Sequence, residues 1–131
     1  MERSIKSQIK ADLKDKMVLL AGPRQVGKTT LAKSLFKSAD YMNWDIDEDR
    51  SRILAKEFQK ADLWIFDEIH KFKNWRNYLK GIADKHGAKQ SILVTGSAKL
   101  DVLRKGGDSL QGRYHYLRLL PLTYRELRMT N

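Results

Sequence analysis

The sequence predicts an α/β protein, a parallel sheet covered by helices on both faces. Three observations lead there. Short, nearly continuous apolar runs at residues 17–21, 63–66 and 91–95 have strand length and lack the polar alternation of a sheet wetted on one side. Between them lie segments with apolar residues three and four apart, the period of a helix. Strands separated by helices imply crossover connections, which parallel strands need and hairpins do not.

Each element follows in order. Ile5, Ile9 and Leu13 fall four apart and give a short amphipathic helix. Residues 17–21 form the first strand, and a Gly/Pro turn leads into a helix over about 28–38. Residues 41–45 form a second strand, and Asp47 starts a helix whose apolar face is Ile53, Leu54 and Phe58. Residues 63–66 are the third strand. A helix around Trp75 to His86 then stops at Gly87. Residues 91–95 are the fourth strand, and 100–104 a short helix halted by Gly106-Gly107. Residues 114–120 are the fifth, broken by Pro121, after which Thr123 and Glu126 make a capping box for a last helix. There is no internal repeat or linker, and residues 1–131 are expected to form a single domain.

Composition narrows the function. The longest apolar run, residues 17–21, is far too short to span a bilayer, so no membrane is expected as a partner. The opening MERSIKSQIKADLKDK has no signal-peptide core, and a cytoplasmic location is expected. The absence of cysteine excludes disulfides and thiolate metal sites, and the three histidines are too scattered for a metal-ligand pattern. The formal charge of +10 is uneven: residues 45–68 are acidic, whereas 69–90 and 99–131 are basic. Such asymmetry fits a polyanion-binding face, and it fits equally helices solvated by Lys and Arg.

Directly after the first strand stands GPRQVGKTT, which matches G-x-x-x-x-G-K-[ST], the phosphate-binding loop. Gly22 and Gly27 let the backbone curl, so that the N–H groups from Pro23, Arg24, Gln25 and Val26 onward wrap one anion (Pro23 itself has none to give). Lys28 supplies a point charge for terminal phosphates, Thr29 a hydroxyl for Mg²⁺, and Thr30 continues the helix whose positive end faces the same phosphates.

Thirty-nine positions after Lys28, the run LWIF ends in Asp67 and Glu68. An acid closing an apolar strand behind a phosphate loop is placed to hold the metal, which assigns Asp67 with Thr29 to Mg²⁺. Glu68, next on an extended chain, points the other way and suits a base for the attacking water. Thr95 and Ser97 offer hydroxyls at the end of the fourth strand, although turn chemistry beside Gly96 accounts for them as well. Arg113 follows a Gly-rich loop and is a candidate for stabilising transition-state charge, in cis or from a neighbouring subunit. Ser97-Ala98-Lys99 imitates a GTPase base-reading element, but no N-K-x-D precedes it. His70 reads as a polar loop residue, with contact to Glu68 or a neighbouring subunit as the alternative.

With these residues in place, the chain resembles the AAA-type ATPase domain of the AAA_14 family, which is usually followed by a DUF4143 domain. The resemblance rests on GPRQVGKTTL, YMNWD, LWIFDEIHK, NW…LKG, ILVTGSAKLD, GGDSLQGRY and LLPLTYREL, in that order. It implies a P-loop NTPase fold, three layers α/β/α with a parallel sheet of order 5-1-4-3-2. It further implies Lys28 and Thr29 as Walker A, Asp67 and Glu68 as Walker B, and Ser97 or Thr95 as the sensor. Arg113 matches the family's Gly-Arg element. Measured against the family, the chain is expected to be the ATPase core without the usual C-terminal domain.

The leading expectation is therefore Mg²⁺-dependent hydrolysis of ATP to ADP and phosphate. The alternative is a nucleotide-gated binding module, in which occupancy switches affinity for a nucleic acid or a protein effector. Phosphoryl transfer to a small molecule is a third reading, and assembly into a homo-oligomer is left open.

Overall fold

The computed structural model describes residues 2–22, 28–97 and 112–118. Its elements are α1 (Glu2–Asp15), β1 (Met17–Ala21), α2 (Lys28–Lys33), β2 (Ala39–Asn43), α3 (Asp47–Ala55), β3 (Leu63–Asp67), a 3₁₀ turn (Ile69–Lys71), α4 (Trp75–His86), β4 (Ser91–Gly96) and β5 (Tyr114–Arg118). The strands form one sheet in the order β2-β3-β4-β1-β5, and every pairing is parallel. That is the order implied above, read from the other edge. The loop at 23–27, the expected helix at 100–104, the end of the fifth strand at 119–120 and the capping-box helix lie outside the described residues.

The continuous apolar runs are split by the pleat. Val18, Leu20, Leu63, Ile65 and Leu93 pack on one face against Ile9 and Leu13 of α1 and Leu31 and Ala32 of α2. Met17, Leu19, Trp64, Phe66, Ile92 and Val94 pack on the other against Ile53 of α3, Ile69 of the 3₁₀ turn and Trp75, Leu79 and Ile82 of α4. A run that looks uniform in sequence thus fills two cores, one on each side of the sheet.

Three local expectations are corrected. First, α2 ends at Lys33, not at residue 38, because the Ser34 hydroxyl donates back to the Leu31 carbonyl at 2.7 Å and the backbone leaves the helical ladder. Second, β2 lies two residues earlier than expected. Asp40 can enter the strand because its carboxylate accepts from Arg52 Nη2 at 2.6 Å and from the Gln59 N–H at 2.9 Å. Asn43 then closes the strand, its side-chain oxygen accepting from the Asp45 N–H at 2.9 Å as in a turn.

Third, Leu54 is exposed; the apolar face of α3 is Ile53, and Phe58 packs beyond the helix end with its ring 4.5 Å from Trp64. Gly87 closes α4 as expected, in a right-handed conformation. Its lack of a Cβ matters because that atom would meet the Ala83 carbonyl oxygen at 2.5 Å. Among the described residues no helix is long and apolar enough to cross a membrane.

Candidate functional site

The carboxyl ends of β2, β3, β4 and β1 meet along one edge of the sheet. The register sets Asn43 beside Asp67, Asp67 beside Thr95, and Ala21 beside Gly96. The Gly22 N–H donates to the Gly96 carbonyl at 3.2 Å, so the chain enters the loop tethered to β4. Lys28 opens α2 as a buried residue, followed by half-buried Thr29 and exposed Thr30. The first apolar strand, the strand ending in acid and the start of α2 thus converge where an α/β sheet binds ligands.

Asp67 is 7% exposed, and both its carboxylate oxygens are engaged. Oδ1 accepts from the Thr95 hydroxyl at 2.8 Å, and Oδ2 accepts from the hydroxyl of Tyr41. The Thr29 hydroxyl bonds the same phenol, and Asn43 Nδ2 donates to it at 3.3 Å. Burial first, and then the Asp67 carboxylate, push the Tyr41 phenol well above its ordinary value, so it remains a protonated donor. The Lys33 ammonium lies over its ring, 4.3 Å from the centroid.

Sequence reading overlooked Tyr41, since a tyrosine inside an apolar strand resembles core. The available signal was period-two alternation, which puts Tyr41 and Asn43 on one face at the strand end.

Glu68 does not extend the strand. Its backbone is left-handed, with φ of 62°, which corrects the expectation of an extended chain at this point. The turn is pinned by the Glu68 N–H donating to the Thr95 carbonyl at 2.9 Å. The side chain is nearly buried, and Oε1 lies 3.5 Å from Lys71 Nζ and 3.7 Å from His70 Nε2. Lys71 Nζ in turn bonds both oxygens of Asp45, at 3.0 and 2.8 Å. The Asp45 bond raises the Lys71 pKa, with Glu68 adding to it, so the ammonium stays charged. His70 therefore stands beside the glutamate whose neighbourhood the sequence left unexplained.

The family model for an AAA domain, AAA_14, matches residues 14–128. The chain belongs to this AAA domain family. The uncharacterized proteins Rv2008c of Mycobacterium tuberculosis and Mb2031c of Mycobacterium bovis are each 31% identical over 116 residues, covering 85% of this chain. The chain spans about a quarter of their length, 26%. A variant of Thermotoga maritima RuvB has a similar fold, with a TM-score of 0.54 at 20% identity, covering 91% of this chain and 45% of RuvB. Family and fold together make the protein an AAA domain with a P-loop ATPase fold.

Not every expected residue of the AAA domain gathers at this edge. Ser97 lies one residue beyond β4, close to it, while Thr95 is fully buried and committed to Asp67. Arg113 is elsewhere. It precedes β5, whose first residue pairs with the first residue of β1, so it sits at the opposite, amino-terminal edge, roughly 15 Å of strand away. There its Nε donates to Asp84 Oδ1 at 2.9 Å. The structure therefore does not bring Arg113 together with Lys28 and Asp67, which counts against a role in its own chain's site.

Proposed function

We propose that this AAA domain binds ATP with Mg²⁺ and hydrolyses it to ADP and phosphate, with residues 1–131 acting as one ATPase core. The reading is carried by the meeting of Gly22, Lys28 and Thr29 with Asp67 and Glu68 at one sheet edge. Lys28 and the amides of residues 22–30 hold the phosphates by charge and hydrogen bonds. Thr29 and Asp67 offer only oxygen, a hydroxyl and a carboxylate, which fits a hard cation that keeps waters and phosphate oxygens around it. Mg²⁺ bound there neutralises charge on the phosphate oxygens. Glu68 accepts the proton of the attacking water once its carboxylate turns from Lys71, and Ser97 hydrogen-bonds the terminal phosphate. The acceleration comes from positioning and charge stabilisation, without a covalent step.

ATP turnover and binding by wild type, Lys28→Ala and Glu68→Gln test this. Glu68→Gln should keep nucleotide binding and lose turnover by roughly a hundredfold or more, while Lys28→Ala should weaken binding. Undiminished turnover in Glu68→Gln removes the glutamate as base. Arg113 lies at the opposite edge of the sheet, and its proposed catalytic role is toward a neighbouring copy in a homo-oligomer. Mixing Arg113→Ala with Glu68→Gln should then restore turnover that neither has alone, and a mixture as inactive as its parts excludes that role.

A second reading rests on the basic surplus of residues 69–90, which begins one residue after Glu68 and carries exposed Lys73, Lys85 and Lys89. In it, ATP occupancy gates binding to a nucleic acid or an acidic protein effector. DNA retention that falls steeply with salt and changes with ATP supports it; no retention at low ionic strength removes the nucleic-acid version.

A further inference from the structure

At the sheet edge, the Tyr41 hydroxyl has no task in the proposed reaction. Its surroundings fix the direction of every hydrogen. The phenol has one hydrogen, and it goes to Asp67 Oδ2. Its oxygen can then only accept, so the Thr29 contact has Thr29 as donor, as does the Asn43 contact at 3.3 Å. The chain of bonds runs Thr29 Oγ–H to Tyr41 oxygen, and Tyr41 O–H to Asp67.

This order has a consequence for cation binding. A hydroxyl coordinates a cation through its lone pairs, so its hydrogen must point elsewhere. Tyr41 takes the Thr29 hydrogen and leaves both Thr29 lone pairs free. On Asp67, Tyr41 occupies one lone pair of Oδ2 and Thr95 one of Oδ1, so each oxygen keeps a second lone pair that these two donors do not use. The carboxylate is held by two donors from two different strands, β2 and β4, and cannot rotate without breaking one of them.

We propose that Tyr41 is a positioning residue for the metal site, orienting Thr29 and Asp67 together so that their oxygens present lone pairs to a divalent cation carried by the nucleotide. This rests on the nucleotide reading above and gives β2 a part in the site. Orienting partners of metal ligands are commonly worth ten- to a hundredfold in metal affinity. Lys33, over the Tyr41 ring, holds that ring in place from the last turn of α2, the same helix that carries Thr29.

The test is binding of a fluorescent ADP by anisotropy to wild type and Tyr41→Phe, in EDTA and across a Mg²⁺ titration. Phenylalanine keeps the ring and its packing and removes only the hydroxyl. The Mg²⁺ concentration for half-maximal binding is expected to rise about tenfold or more in Tyr41→Phe, while ADP affinity in EDTA stays within about twofold, showing an intact fold. An unchanged Mg²⁺ requirement overturns the role. So does a lowered one, which would make the phenol a competitor for the cation position. A wild-type chain that binds ADP in neither medium overturns the nucleotide reading, and this role with it.

Discussion

At the residue scale, Asp67 is the point where sequence and structure agree most closely and where the structure adds most. An acid after LWIF, behind a phosphate loop, was legible because motif spacing carries it. Its partners were not legible, because a hydrogen bond between strands depends on register, and register is invisible until the strand order is known. Thr95 reads equally as a phosphate-facing or a turn hydroxyl and is instead fully buried, donating to the Asp67 carboxylate at 2.8 Å. Thr95→Val keeps the shape and deletes that donor, so it should cost about 1–3 kcal/mol. Urea denaturation with an unchanged slope would register it; a midpoint equal to wild type would mean that Tyr41 alone satisfies the acid. Glu68 illustrates the other limit. Its left-handed backbone is set by the pull of the Thr95 carbonyl and the following 3₁₀ turn, contacts that no local pattern announces.

At the element scale, α4 and β1 were read within a residue or so because their apolar periodicity is strong, whereas α2 and β2 drifted. The causes differ: Ser34 turns back on the Leu31 carbonyl three residues earlier, whereas the place of Asp40 depends on Arg52, twelve residues on.

The end of α3 shows the same dependence in energetic form. Lys56 closes the helix in the left-handed region, φ 57°, with its N–H on the Ile53 carbonyl at 3.1 Å and that of Glu57 on the Arg52 carbonyl at 3.0 Å. A side chain there costs about 1–2 kcal/mol, partly offset by the chain entropy a glycine loses. Lys56→Gly should therefore raise stability by about 0.5–1 kcal/mol, seen as a higher melting temperature. A lower one would mean that the Lys56 ammonium, 5.8 Å over the Tyr78 ring, matters more than the backbone. Glu68 carries the same backbone strain, and there it is retained beside the proposed reaction centre.

At the scale of the whole molecule, buried phenols and one imidazole bound the pH range of stability. Burial raises the Tyr78 phenol well above 10.0, and burial with Asp67 does so for Tyr41. The unfolded chain releases these protons first, so their contribution is complete below about pH 10 and is lost as pH rises beyond it. His86, packed edge-on against Trp64 at 4.9 Å, has its pKa lowered by burial first and then by Lys85 and Lys56. The unfolded chain gains that proton first, so stability is complete above about 6.5 and declines as pH falls below it. Melting temperature against pH should show a plateau between these limits. Tyr78→Phe should flatten the alkaline side, at the cost of the bond from its hydroxyl to the Ile53 carbonyl at 2.5 Å. An alkaline limb as steep as in wild type would assign that limb to other groups.

One feature of the sheet reaches beyond its native state. β1 lies between β4 and β5, so Val18 is flanked by Leu93 on one side and His115 on the other. A strand made before either of its neighbours thus receives both from later in the chain. While the ribosome works through the intervening helices, the backbone donors and acceptors of β1 have no strand to pair with. Its apolar residues, Leu19 and Leu20 among them, meanwhile lack the layers that later cover them. The arrangement that sets β1 between β4 and β5 therefore leaves the nascent chain open to wrong pairings until β5 emerges.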